Sequence, residues 1–129
     1  MALEGAQKLK EVSYIHAEAY PAAELKHGLL ALVSEDIPTV VIAPGDELWD
    51  KNLASIAEIH ARKGPVIVVT DSSKPIPGVN KVITVRTTEP ELQRILLSIP
   101  LQLLAYHAAF LRERDIDMPR NLAKSVTVE

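Results

Sequence analysis

Two short runs constrain this chain more than anything else in it: Thr39-Val-Val-Ile-Ala43, bracketed by Pro38 and Pro44, and Val66-Ile-Val-Val69. Neither alternates apolar with polar residues. A half-solvated antiparallel strand shows that alternation, whereas an unbroken β-branched run belongs to a strand covered on both faces, the situation of a parallel sheet. Parallel neighbours need a crossover, and the intervening residues supply one. Gly45-Asp46 opens a segment in which Trp49, Leu53, Ile56 and Ile59 keep a helical period, with Gly64 placed as its C-terminal stop.

The same logic extends in both directions. Residues 81–85 read as a further strand, reached through a turn-rich loop containing Asp71, Ser72, Ser73, Pro75, Pro77 and Gly78. Thr88-Glu89-Pro90-Glu91 has the form of a capping box with a proline in the first turn, and it starts a long helix to about residue 111, with Pro100 as the place for a bend. Upstream, Leu3, Ala6, Leu9, Val12 and Ile15 recur every three residues among Lys8, Lys10 and Glu11, which predicts an amphipathic helix over 3–15. Residues 17–21 are expected as a brief strand and 25–33 as a short helix weakened by Gly28. The alternation predicts an α/β fold, a three-layer αβα sandwich around a mainly parallel sheet. Because a helix comes first, the sheet is expected to lack its opening strand. Residues 1–111 form the domain and residues 112–129 a polar tail.

Charge and composition narrow the functions. Seventeen acidic residues against fourteen basic ones, with a net charge of −3, leave no cationic face for a phosphate backbone, so nucleic acid is not an expected partner. The strongly apolar stretch 95–104 is shorter than the ~20 residues of a membrane span, and the charged N-terminus is not a signal peptide. Cysteine is absent, which removes disulfides and thiol chemistry and fits a reducing cytoplasm. His16, His27, His60 and His107 show no helical metal-binding spacing.

A few residues stand out as chemistry-bearing, each with an ordinary alternative. Lys8 and Glu11 lie three apart on one helix and project side by side, as an exposed ion pair or as part of a site. His27, between Glu24-Leu25-Lys26 and Gly28, is a capping or surface histidine, or an active-site group at a junction where α/β sheets gather them. Lys124 is a solvated tail lysine, or one that Leu122, Ala123, Val126 and Val128 desolvate toward nucleophilic use.

Five segments carry a resemblance: Leu3-Glu-Gly-Ala-Gln-Lys-Leu-Lys-Glu11, Tyr14-Ile-His-Ala-Glu-Ala-Tyr-Pro21, Glu24-Leu-Lys-His-Gly28, Pro100-Leu-Gln-Leu-Leu-Ala-Tyr-His107 and Pro119-Arg-Asn-Leu-Ala-Lys-Ser-Val-Thr-Val-Glu129. Together they resemble the second sugar-isomerase (SIS) domain and C-terminal tail of the isomerising glutamine–fructose-6-phosphate aminotransferases, the glucosamine-6-phosphate synthases. Ala23 and Leu29 depart from the glycine and proline usual in that family.

The resemblance implies a flavodoxin-like SIS fold and a reaction in which fructose 6-phosphate and glutamine-derived ammonia become glucosamine 6-phosphate, without metal or organic cofactor. It implies that Lys124 forms an imine with the sugar C2 carbonyl, that Glu11 moves a proton between C1 and C2, and that Lys8 assists at the hydroxyls. His27 would open the sugar ring, reaching into a neighbouring subunit's site, and Ala123 with Lys124 would touch substrate. A homodimer and contacts with a first SIS domain and a glutaminase domain are implied as well, the chain being expected as a C-terminal piece, inactive or weakly active alone. The alternatives are a catalytically silent SIS module that binds a phosphosugar or a partner chain, and an SIS deaminase or isomerase acting on an amino-sugar phosphate.

Overall fold

The computed structural model describes residues 1–122. The β-branched runs become strands β1 (Thr39–Ile42) and β2 (Val66–Thr70), joined by β3 (Lys81–Thr84) in a sheet of order β1-β2-β3. Both pairings are parallel, with Val41 opposite Val68 and Val69 opposite Ile83. Helix α2 (Trp49–His60) makes the crossover between β1 and β2. No helix separates β2 from β3. Asn80 instead closes that connection, its side-chain oxygen accepting from the Val66 N–H at 2.8 Å while its own N–H donates to the Val66 carbonyl.

The two faces of the sheet are buried separately, which makes three layers. On one face Val41, Val66 and Val68 pack with Trp49, Ile56 and Ile59 of α2, and Leu25, Leu30 and Val33 lean on the same cluster. On the other, Val69 packs with Leu97 and Leu101 of α3 (Pro90–Leu111), flanked by Val40, Ile42, Ile83 and Val85. Helix α1 (Ala2–Ser13) lies against α3. The expected αβα sandwich is therefore present, with a wholly parallel sheet among the described residues.

Several local expectations are corrected. Residues 17–21 form no strand; residues 15–20 do alternate between half-buried and exposed, but they lie along the surface without a ladder partner. Residues 25–33 are not one helix but two 3-10 turns, Ala22–His27 and Leu29–Leu32, split at Gly28, whose φ of 122° is accessible only to glycine at low cost. Helix α2 begins at Trp49 rather than at Gly45-Asp46, and its left-handed C-terminal residue is Lys63, with the Gly64 N–H closing back onto the Ile59 carbonyl.

At α3 the Thr88–Glu91 capping box does not form. Gln93, nearly buried, takes its place: its side-chain oxygen accepts from the Thr88 N–H at 2.7 Å, and its amide nitrogen donates to the Arg86 carbonyl.

Helix α3 runs unbroken through Pro100 for 22 residues, and by length and hydropathy it would suffice to cross a bilayer, unlike the shorter stretch considered above. Gln93, Leu97, Leu101, Ala105 and Ala109 form its buried stripe. Its opposite face leaves Leu92, Ile95, Ile99, Leu103, Phe110 and Leu111 exposed.

Candidate functional site

The sequence places a carboxylate between two donors one turn upstream. In α1 the Glu11 Oε2 accepts from the Lys8 Nζ at 2.8 Å, and Oε1 accepts from the Gln7 Nε2 at 2.7 Å. Residues three and four apart on a helix share a face, so this fork follows from the spacing alone. Both oxygens are engaged while the side chain stays 24% exposed and that of Lys8 39% exposed, so a ligand can reach them. The hydrogen bond from Lys8, reinforced by that from Gln7, holds the Glu11 carboxyl below its ordinary range; the same bond to Glu11 holds the Lys8 ammonium above its own. Glu11 is thus kept ionised and Lys8 charged, a base and an acid in contact. Gln7 was not singled out from sequence, although its position four residues before Glu11 was the available signal.

Helix α1 stops where Tyr14 adopts the left-handed conformation, φ 59° and ψ 23°. The turn opens a cleft of about 410 Å³ lined by Lys10, Glu11, Tyr14 and His16 on one side and by Arg120, Asn121 and Leu122 on the other. The segment after α3 therefore returns to the end of α1. It is tied there by the Arg120 N–H, which donates to the Tyr14 hydroxyl at 2.9 Å, and by the Arg120 guanidinium, 4.2 Å from the Tyr14 ring centre.

The expected site residues are not all brought together. Lys8 and Glu11 touch. His27 is exposed at the end of the first 3-10 turn, which packs on α2 and is pinned there by the Lys26–Glu58 ion pair at 2.9 Å. Helix α1 lies in the opposite layer, against α3, so within one chain His27 and Glu11 stand on different sides of the sheet. Ala123 and Lys124 lie outside the described residues. Among the described residues no three His, Cys, Asp or Glu side chains are grouped as a metal site would need.

This fold and this segment order have known counterparts. The family model described as SIS domain matches residues 1–112. The chain belongs to the SIS-domain family. Within that family, this SIS domain matches the C-terminal SIS domain of glutamine–fructose-6-phosphate aminotransferase (isomerising) in both sequence and structure. It is 56% identical over 131 aligned positions to the aminotransferase of that name from Acidithiobacillus ferridurans, and 51% identical over 132 to that of Caulobacter vibrioides.

Each alignment covers all of this SIS domain but only 21% and 22% of the relative, so the chain spans about a fifth of their length. Among solved structures, it superposes on the C-terminal domain of the Francisella tularensis glucosamine-fructose-6-phosphate aminotransferase with a TM-score of 0.83 and 43% identity, over 90% of this chain and 33% of that one. A glucosamine-6-phosphate deaminase from Thermotoga maritima gives a TM-score of 0.72 at 26% identity, over 98% of this chain and 36% of that one.

Proposed function

We propose that this SIS domain is the isomerase unit of a glucosamine-6-phosphate synthase, and that the cleft between α1 and the root of the tail is where its own residues act. The observation that carries this reading is the placement of Glu11, hydrogen-bonded to Lys8 and Gln7, in a cleft whose facing wall is Arg120–Leu122. Lys124 follows Leu122 by two residues. Two residues of extended chain reach about 7 Å at most, so Lys124 is tethered to the wall facing Glu11.

The chemistry then runs in two stages. The Lys124 amine condenses with the C2 carbonyl of fructose 6-phosphate, losing water, and ammonia displaces the lysine to leave an imine at C2. Glu11, held ionised by Lys8 and Gln7, takes a proton from C1 and returns it to C2 while the C1 hydroxyl proton passes to the imine nitrogen, leaving an aldehyde at C1 and an amine at C2. Lys8, the charged donor to Glu11, balances charge at the hydroxyls. A sugar hydroxyl that drew Lys8 or Gln7 away from Glu11 would raise the carboxyl toward the range that favours proton transfer at neutral pH. No cofactor enters this sequence.

His27, remote from Glu11 within one chain, fits a role in ring opening at the site of a second copy. The exposed apolar face of α3 supports assembly with further copies or with the domains that make up the rest of the relatives. The reading carries a cytoplasmic setting with it.

The test is deuterium exchange at C1 of fructose 6-phosphate in D2O, followed by proton NMR, with the chain alone and with the remaining four-fifths of the Acidithiobacillus relative. Exchange by wild type that falls on the order of a hundredfold in Glu11→Gln is expected. Sugar binding without exchange in either preparation would favour a silent phosphosugar-binding module and refute the assignment.

A further inference from the structure

Tyr14 is an odd residue for its position. A helix that ends in the left-handed conformation commonly places glycine there, because a Cβ is crowded in that region and a bulky aromatic more so. Here the left-handed residue is a tyrosine, and its side chain accounts for the choice. The hydroxyl accepts the Arg120 N–H at 2.9 Å, and two guanidiniums, of Arg120 at 4.2 Å and Arg114 at 5.6 Å, face the ring. Such cation–ring contacts are attractive, and tyrosine alone among the aromatics adds the hydrogen-bond acceptor needed for the backbone of residue 120.

Among the described residues, this is the one side-chain hydrogen bond joining the segment after α3 to the rest of the molecule; the others there, from Asp117 and Met118 to Asp115, are internal to the segment. Further back in the segment, Ile116 lines a small cavity together with Val12 of α1 and Tyr106 of α3. Tyr14 also follows Glu11 by three residues and lines the same cleft. A single residue is thereby fixed to the helix that carries the carboxylate and bound to the root of the tail that carries Lys124.

We infer that Tyr14 is a positioning residue: it anchors the root of the C-terminal tail at Arg120, four residues before Lys124, to the helix that carries Glu11, and so limits how far from Glu11 the tail lysine can act. The second half of this inference rests on the proposed function; the first half does not. Tyr14→Phe removes only the hydroxyl and keeps the ring under the guanidiniums, so it separates the hydrogen bond from the stacking, and Tyr14→Ala removes both.

Two measurements on the full chain decide the matter. In the first, amide hydrogen exchange at Arg120 should quicken about five- to tenfold in Tyr14→Phe and further in Tyr14→Ala, as expected for loss of one hydrogen bond and then of the ring, while amides of β2 keep their protection. Unchanged exchange at Arg120 in Tyr14→Phe, a variant too conservative to unfold the domain, overturns the anchor. In the second, borohydride trapping of fructose 6-phosphate on Lys124, in the chain joined with the remaining portion of the Acidithiobacillus relative, should fall in the same order, with Tyr14→Phe between wild type and Tyr14→Ala. Wild-type trapping in Tyr14→Ala, with exchange at Arg120 raised, overturns the positioning role and leaves the lysine chemistry standing. A wild-type assembly that traps nothing refutes the proposed function and the positioning role with it, and the exchange measurement still decides the anchor by itself.

Discussion

Gly5→Ala would normally stabilise a helix. Alanine is favoured over glycine in a helix interior by about 0.8–1.0 kcal/mol. In α1, however, Gly5 is buried against α3, and a Cβ built on it falls 2.9 Å from both the Cβ and the Cδ1 of Leu101. The Cδ1 can rotate away, but the Leu101 Cβ moves only with the α3 backbone. The cost is therefore that of overpacking a fitted interface, about 1–3 kcal/mol, and the net change is a loss on the order of 1 kcal/mol.

In urea, with a slope of about 1–3 kcal/mol/M for a chain of this size, the midpoint should drop by roughly half a molar with the slope unchanged. Because the clash is with Leu101, Leu101→Gly, which removes the Cβ along with the rest of the side chain, should in the same background cost less than the two single changes added together. A Gly5→Ala protein as stable as wild type or more so would refute the reasoning, since propensity would then have won and α1 would not be seated on α3 as closely as described. The same variant tilts the helix that carries Lys8 and Glu11, so the cleft should loosen along with the fold.

Gln93→Leu keeps the volume of the buried side chain but orphans the Thr88 N–H and the Arg86 carbonyl at the start of α3; it should cost about 1–3 kcal/mol by denaturant titration, and a neutral result would show that neither bond matters. The Lys8–Glu11 pair contributes a small pH dependence of fixed sign. Glu11, held below its ordinary range, adds stability that is present above the unfolded carboxylate range and is lost as pH falls through the lowered folded value. Lys8, held above its ordinary range, adds stability that is present below the unfolded lysine range and is lost as pH rises through the raised one. Glu11→Gln should flatten both limbs by a few tenths of a kcal/mol, the scale of an exposed pair, and an unaltered profile between wild type and variant would contradict the assignment.

How much of this was legible in the sequence depends on which physical signal each feature uses. β1 and β2 were readable because a strand buried on both faces needs an unbroken β-branched run, and α2 because its apolar residues keep period. Helix α1 was placed correctly but its inner face was not: Leu3 is 74% exposed, and the buried positions are Gly5 and Ser13, small residues that let two helices approach and that a hydrophobicity pattern does not weigh. The break at Gly28 and the missing strand at 17–21 turn on backbone conformation and on the lack of a partner strand, neither of which local composition reports. Within the site, the Lys8–Glu11 contact follows from helical spacing and was foreseen, whereas the Tyr14–Arg120 contact joins residues 106 positions apart and was not. The separation of His27 from Glu11 by the sheet is likewise a consequence of topology.

The most direct test of the central claim is borohydride reduction of the chain with fructose 6-phosphate, followed by peptide mass mapping, alone and with the remaining four-fifths of the Acidithiobacillus relative. The account predicts one hexitol-phosphate adduct, on Lys124, in the assembled sample and a weak one or none in the chain alone. An assembled and folded sample with no adduct, or with the adduct on another lysine, would contradict it.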